Sequence, residues 1–404
     1  MLAFMQKINS KQRLLIILVT LVCAILVTAL LVFNKFQAQP VPTGSIIVLP
    51  IKAPPAVGAN DWQEYAQMEQ VIANLGTSAQ YPVLQTEDVI AMLSQASSFI
   101  QDQQAIDLER LFIVSGASLI VETTLSINDN SYQLDYRLLS AKQVKSGTII
   151  DRSLSEANTR LAMRIQQFVD LPPSQIKGSA NAWFSQPQLI QALKQIQYSE
   201  LADAQTSLNE LLTQTPNNLI AIRLLAELLT AQDSSEDGTG DALILAKRWL
   251  DKGIAHGVAS GDSRQVARLR LTLAQLLLKK GLPELAITQL SQARTLAANS
   301  QDWLYLGYIS NWSGHIYQHL NRYQNANAQY QYSLNYHQKA GYPAGQVMAL
   351  NNLAELEVLQ HNYSLAYKAI NQSVAIVTQR DLTQLREPTF KLLAQIENKL
   401  QRIR

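Results

Sequence analysis

Hydrophobic positions fall into three successive patterns along the chain. From Leu14 to Phe33 there are 20 residues without a charge, dominated by Leu, Ile and Val, the ~20 that a helix needs to cross hydrocarbon. From 45 to 171, short apolar runs alternate with segments of helical spacing. After Pro172-Pro173 the spacing is helical throughout and rich in Leu, Ala and Gln.

The first pattern predicts a transmembrane helix over 14–33. Lys7, Lys11 and Arg13 precede it and Lys35 alone follows closely, so the positive-inside bias leaves residues 1–13 as a short cytoplasmic tail and exports the rest. The expected location is a bacterial inner membrane, crossed once, with the bulk of the chain periplasmic. A cleaved signal peptide fits less well, because the run is long and no small-x-small site follows it. Residues 34–44, with Pro40, Pro42 and Gly44, read as a stiff linker.

The second pattern predicts a small mixed α/β domain over 45–171. Ile46 to Leu49 reads as a buried strand closed by Pro50, and Trp62, Tyr65, Met68, Val71, Ile72 and Leu75 lie on one face of a helix over 61–75. Tyr81 to Leu84 is a further strand, and Thr86 is expected to cap a helix with Glu87 and Asp88 in its first turn. Ser118 to Ile127 and Ser131 to Ala141 flank Asn128-Asp129-Asn130 as a hairpin. Ser146 to Leu154 adds a strand, and Leu161, Arg164, Ile165 and Phe168 mark a closing helix.

The third pattern repeats. Ala246, Ala286, Ala326 and Ala366 are 40 residues apart, and Leu273-Ala274, Ser313-Gly314 and Leu353-Ala354 keep the same step. Small residues at fixed places let paired helices approach closely. With Tyr317, Leu320, Tyr323, Tyr330 and Ser333 in one unit and Tyr363, Ala366 and Ser373 in the next, the pattern resembles the tetratricopeptide repeat. An earlier copy runs from Pro187 through Ala204 and Leu208 to Pro216. After a linker over 172–184, the resemblance implies about five helix-turn-helix units over 185–381. Phe390, Leu392, Leu393, Ile396 and Leu400 then form a capping helix within 382–404. The fold class expected is α+β multidomain: membrane helix, mixed α/β domain, all-α solenoid.

The whole order resembles the periplasmic part of CadC-like membrane-anchored winged-helix regulators, and the α/β segment is similar to the N-terminal domain of TolB. Those regulators carry a DNA-binding domain before the anchor, whereas 13 residues precede Leu14 here, so no direct nucleic-acid contact of that kind is expected. Charge agrees: 33 basic against 31 acidic residues is no polyanion-binding surface.

Catalytic and cofactor signatures are missing. No phosphate loop or nucleophile elbow occurs, and the single cysteine, Cys23, sits in the membrane run and builds neither a disulfide nor a zinc site. His315 and His319 are four apart but lack a third ligand, and Asp233 to Asp241 imitates a calcium loop with Ile244 where its closing carboxylate belongs. No enzyme, metal or cofactor is expected.

What remains is a groove. The repeat register places Arg268, Gln275 and Lys279 in one unit, Tyr308, Asn311, His315 and His319 in the next, and Asn351 and Glu355 in the third on the concave lining. Asn amides bind an extended backbone from both ends. The expected partner is a protein or peptide, and the expected role a membrane-anchored scaffold or accessory subunit. The alternative is a sensory component acting through a partner protein.

Overall fold

The computed structural model describes residues 44–53, 61–76, 81–100, 103–128, 130–170, 182–233 and 240–402. The tail, the apolar run over 14–33, residues 34–43, residues 171–181 of the second linker and residues 234–239 of the calcium-like loop lie outside them. Among the described residues, no helix is long and apolar enough to cross a membrane.

A mixed four-stranded sheet opens the fold: β1 (Ile46–Val48), β4 (Leu119–Asn128), β5 (Ser131–Leu139) and β6 (Val144–Asp151), in the order β1-β4-β5-β6. β1 runs parallel to β4 with Ile46 opposite Leu119, and the other pairs are antiparallel. Helices α1 (Asp61–Leu75) and α4 (Leu154–Phe168) pack on each other and against one face. Period-two alternation turns Leu125, Leu134, Tyr136 and Ile149 to that side, where Met68, Val71, Leu161 and Ile165 bury them. The opposite face carries a polar ladder in which Glu122 holds Lys52 at 3.0 Å and Arg137 at 2.9 Å.

Tyr81 to Leu84, expected as a strand, makes one isolated parallel bridge between Val83 and Ile46. Ile46 N donates to Pro82 O and Leu84 N to Ile46 O; the ladder stops on one side at Pro82, which has no N–H, and on the other where the chain enters a helix at Thr86. Thr86 is the first residue of α2 (Thr86–Ala96) rather than its cap, and its hydroxyl donates to Glu69 on α1. Residues 97 to 115, unassigned from sequence, form a hairpin of β2 (Ser97–Ile100) and β3 (Gln103–Ile106) followed by α3 (Leu108–Ser115). Asp107 caps α3 through Arg110 N at 3.0 Å, and Gly116 ends it with φ 64°.

The rest is a stack of paired helices: α5 (Pro187–Gln197) with α6 (Leu201–Gln214), α7 (Leu219–Gln232) with α8 (Asp241–Ser260) and α9 (Ser263–Lys279) with α10 (Pro283–Asn299). Then come α11 (Trp303–His319) with α12 (Tyr323–Ala340), α13 (Pro343–Leu359) with α14 (Tyr363–Gln379), and a last helix α15 (Thr383–Gln401). The 40-residue step is visible in the backbone itself. Turns within pairs put Gly281, Asn321 and His361 at positive φ, and turns between pairs do so at Gly261, Gln301, Gly341 and Asp381. The alanine column at 246, 286, 326 and 366 is fully buried between helices.

The sheet layer and the stack share one continuous apolar core, with α5 packed on α1 and α2. Their backbones touch where Gly44, Gly116 and Gly341 meet. A Cβ on Gly341 would collide with Gly44 and Gly116, and all three have positive φ.

Candidate functional site

The α/β layer lies along the edge of the stack where the first helix of each pair begins. At its centre is an ionic cluster buried between α2 and helices α7, α9 and α11. Helix α2 presents Glu87 and Asp88 from its first turn. Arg268 on α9, 0% exposed, donates to Glu87, to Asp88 at 2.8 Å and to Asp302 at 3.1 Å, while its guanidinium lies 3.9 Å from the Tyr305 ring centre. Arg223 on α7 pairs with the other oxygen of Glu87 and with Glu227 at 2.8 Å. Gln265 Nε2 donates to Glu87 at 3.0 Å.

Asp302 has two roles, since its second oxygen caps α11 through Tyr305 N at 3.4 Å. At the rim of the cluster, Arg264 lies 3.9 Å from Asp302 and donates to Gln85 at 2.6 Å and to Ser300 O at 3.2 Å. Arg110 on α3 meets Asp381 at 3.2 Å beyond α14.

Burial works against every charge here, and the neighbours decide the outcome. The two guanidinium groups hold Glu87 down at about 2 although burial acts to raise it. Glu69 has no such partner in contact and is pushed up to about 7 by burial, its carboxyl accepting the Thr86 hydroxyl. Chemically the cluster is a set of charge-assisted hydrogen bonds, with Arg223 Nε and Gln265 Oε1 buried and without a partner. Removing one member leaves uncompensated charge, which fixes how the α/β layer sits on the stack.

Arg268, read from the register as groove lining, is therefore committed to the chain's own α2. Tyr308 is half-buried beneath the same junction, edge-on to Tyr305 at 5.5 Å and to His337 at 5.2 Å. Asn351 ties its helix to the two that follow, donating to Thr389 at 2.9 Å and accepting from Ser373 at 2.6 Å. Lys279 caps the end of α7, donating to Thr230 O at 2.7 Å and Asp233 O at 2.5 Å.

The second half of the concave face is built differently. Asn352 Nδ2 donates to Asn311 Oδ1 at 2.7 Å and lies 3.3 Å from His315 Nε2, joining α13 to α11. Burial lowers the His315 pKa, so the ring is neutral and accepts from the amide. Trp312 lies 5.5 Å from the same ring. Gln275 is half-buried, and His319 and Glu355 are exposed. Asn311 and His315 are thus brought together from the expected set, and Asn352, the residue that joins them, was missed. Among the described residues, no group of three potential metal ligands occurs.

The arginines also carried a readable signal. Arg223 lies within Leu219 to Leu229, a run apolar except for Arg223 and Glu227, and Glu227, four residues on, is the one partner the local sequence offers its buried charge. Nothing in the sequence says that its other partner is Glu87, 136 residues earlier.

No family model matches the chain, and no curated protein matches it. Solved structures with similar form include BtubC from P. vanneervenii, at 17% identity and TM-score 0.42, covering 52% of this chain and 84% of that one. A Rap protein complexed with competence and sporulation factor is 14% identical with TM-score 0.43, covering 62% and 74%. A signal-transduction ATPase with a tetratricopeptide repeat sensor from Pyrococcus horikoshii is 12% identical with TM-score 0.36, covering 83% and 55%. The chain is similar to tetratricopeptide-repeat proteins in its stack of paired helices, which follows a small α/β part.

Proposed function

We propose that this protein is a non-enzymatic binding scaffold, tethered to a bacterial inner membrane through residues 14–33, which takes a protein or peptide on the second half of its concave face. The observation that carries this reading is the Asn352–Asn311–His315 set, in which the buried Asn311 anchors the partly exposed Asn352 and His315. Its side chains are fixed by one another before any partner arrives, so little conformational entropy is lost on binding. Trp312 beside it offers an apolar face. At Arg268 the concave face is closed to a partner by the chain's own α2.

The test is in-cell photo-crosslinking from His319 and Glu355, which are exposed. Asn311 and Asn351 are unsuitable, because a bulky probe there breaks internal hydrogen bonds. A discrete protein adduct at both positions, absent from a probe at exposed Val258 on α8, supports the scaffold. Adducts to lipid or to the chain itself alone refute it.

A second reading, a sensory component, is favoured by a hollow of about 310 Å³ lined by Arg110, Val114, Tyr342, Met348, Asp381 and Leu385. It spans α3, α13 and α15, so a small ligand there would change how the two layers meet. A ligand-dependent change in protection of the Arg110–Asp381 contact, with no adduct in the groove, separates this reading from the first.

A further inference from the structure

β6 ends the sheet. The opposite edge, β1, is covered by the bonds to Pro82 and Leu84, whereas among the described residues no strand pairs with the outer side of β6. β6 pairs with β5 residue for residue from Val144 to Asp151, with no bulge and no proline. A straight, regular edge of this length exposes a row of backbone donors and acceptors.

The side chains of β6 are arranged symmetrically about Gly147. Ser146 and Thr148 lie one residue to either side, and Val144 and Ile150 three residues to either side. These four point to the face away from α1 and α4; Val144 and Ile150 are each 59% exposed. Gly147 is fixed by the Tyr136 ring, which a Cβ there would strike, so the centre of symmetry carries no side chain.

We propose that β6 is a self-association edge, pairing antiparallel with β6 of a second copy about a two-fold axis through Gly147. This register sets Val144 opposite Ile150 twice and Ser146 opposite Thr148 twice. All four outward positions thereby find a like partner. A register shifted by two residues sets Ile150 opposite Ser146 and loses both apolar pairs. A hollow of about 330 Å³ beside Ile150, lined by Met163, Arg160 and Arg164 on α4, flanks the joint.

The test uses the full chain in the membranes of the expressing cell, with Cys23→Ser so that no native thiol competes. Ser146→Cys combined with Thr148→Cys puts thiols on directly opposed positions, at Cβ separations a disulfide spans. Mild oxidation is expected to give a covalent dimer at least tenfold more abundant than with either cysteine alone. Adding Ile150→Lys, which places a charge against Val144, is expected to abolish it. All three positions are exposed, so an unchanged unfolding transition verifies that the variants are folded. No dimer from the double-cysteine chain, equal dimer from the single variants, or no effect of Ile150→Lys each overturns the proposal, whatever other strand covers this edge in the cell.

Discussion

His337 is 0% exposed, and neither ring nitrogen has a hydrogen-bond partner. Its ring lies against Gly307 and Gly345, where a Cβ on either would overlap it, with the Tyr308 and Tyr342 rings at 5.2 and 5.6 Å. Burial alone pushes its pKa down to about 3. In the unfolded chain the same group titrates near 6.5. Between those values the unfolded state binds one more proton than the folded state, so stability falls as pH falls, by about 1.4 kcal/mol per pH unit. From pH 7 to pH 5 the loss is about 2 kcal/mol. His337→Phe keeps an aromatic ring, removes the titration and breaks no hydrogen bond. The assay is urea unfolding of both chains across pH 4.5 to 8, read as the difference between them, which cancels every other titrating group. The expected difference is small above pH 7 and moves by about 2 kcal/mol in favour of the variant at pH 5. A difference that stays constant across that range refutes the reasoning.

Other substitutions address the remaining features. Glu69, raised to about 7 by burial, has the opposite sign to His337: the folded state holds an extra proton between about 4.5 and 7, and stability is lost as pH rises through that window. Glu69→Gln is therefore expected to stabilise by on the order of 2 kcal/mol at pH 8 and by little at pH 4, in the same unfolding assay. Arg268→Met leaves Asp88 without its guanidinium partner, with only Arg223 on Glu87 and the half-buried Arg264 at 3.9 Å from Asp302; a loss of about 3–5 kcal/mol is expected in denaturant unfolding. Gly314 supports the Tyr330 ring, while the corresponding positions hold Ala274 with Leu290 and Ala354 with Ile370. Gly314→Ala should cost about 1–3 kcal/mol by overpacking, and adding Tyr330→Leu should recover most of it in a double-mutant cycle.

Several of these features were legible before any coordinates. The alanine column and the helix over 61–75 follow from spacing, because a helix repeats its contacts every three to four residues. The expected strand at Tyr81 to Leu84 is cut to one bridge by the N–H that Pro82 lacks and by the helix that begins at Thr86. The hairpin and α3 between Ser97 and Ser115 passed unseen because their periods are too short to register. In the groove, Asn311 and His315 were found from the register. Asn352 was not, because it is one residue out of phase with Asn351 and reaches across to the preceding unit.

The chain's local periodicities determined its layers and its repeat, which are properties of neighbours in sequence. Which charges would be buried was decided only when α2 met α7, α9 and α11. Arg223 and Arg268 share Glu87 across 136 and 181 residues, and no pattern within a helix encodes that separation. That Arg268 faces the chain's own α2 rather than a partner follows from that docking. Coulombic pairing in a buried space selects partners by where the folded backbone brings them, and the sequence records the charges without recording the meeting.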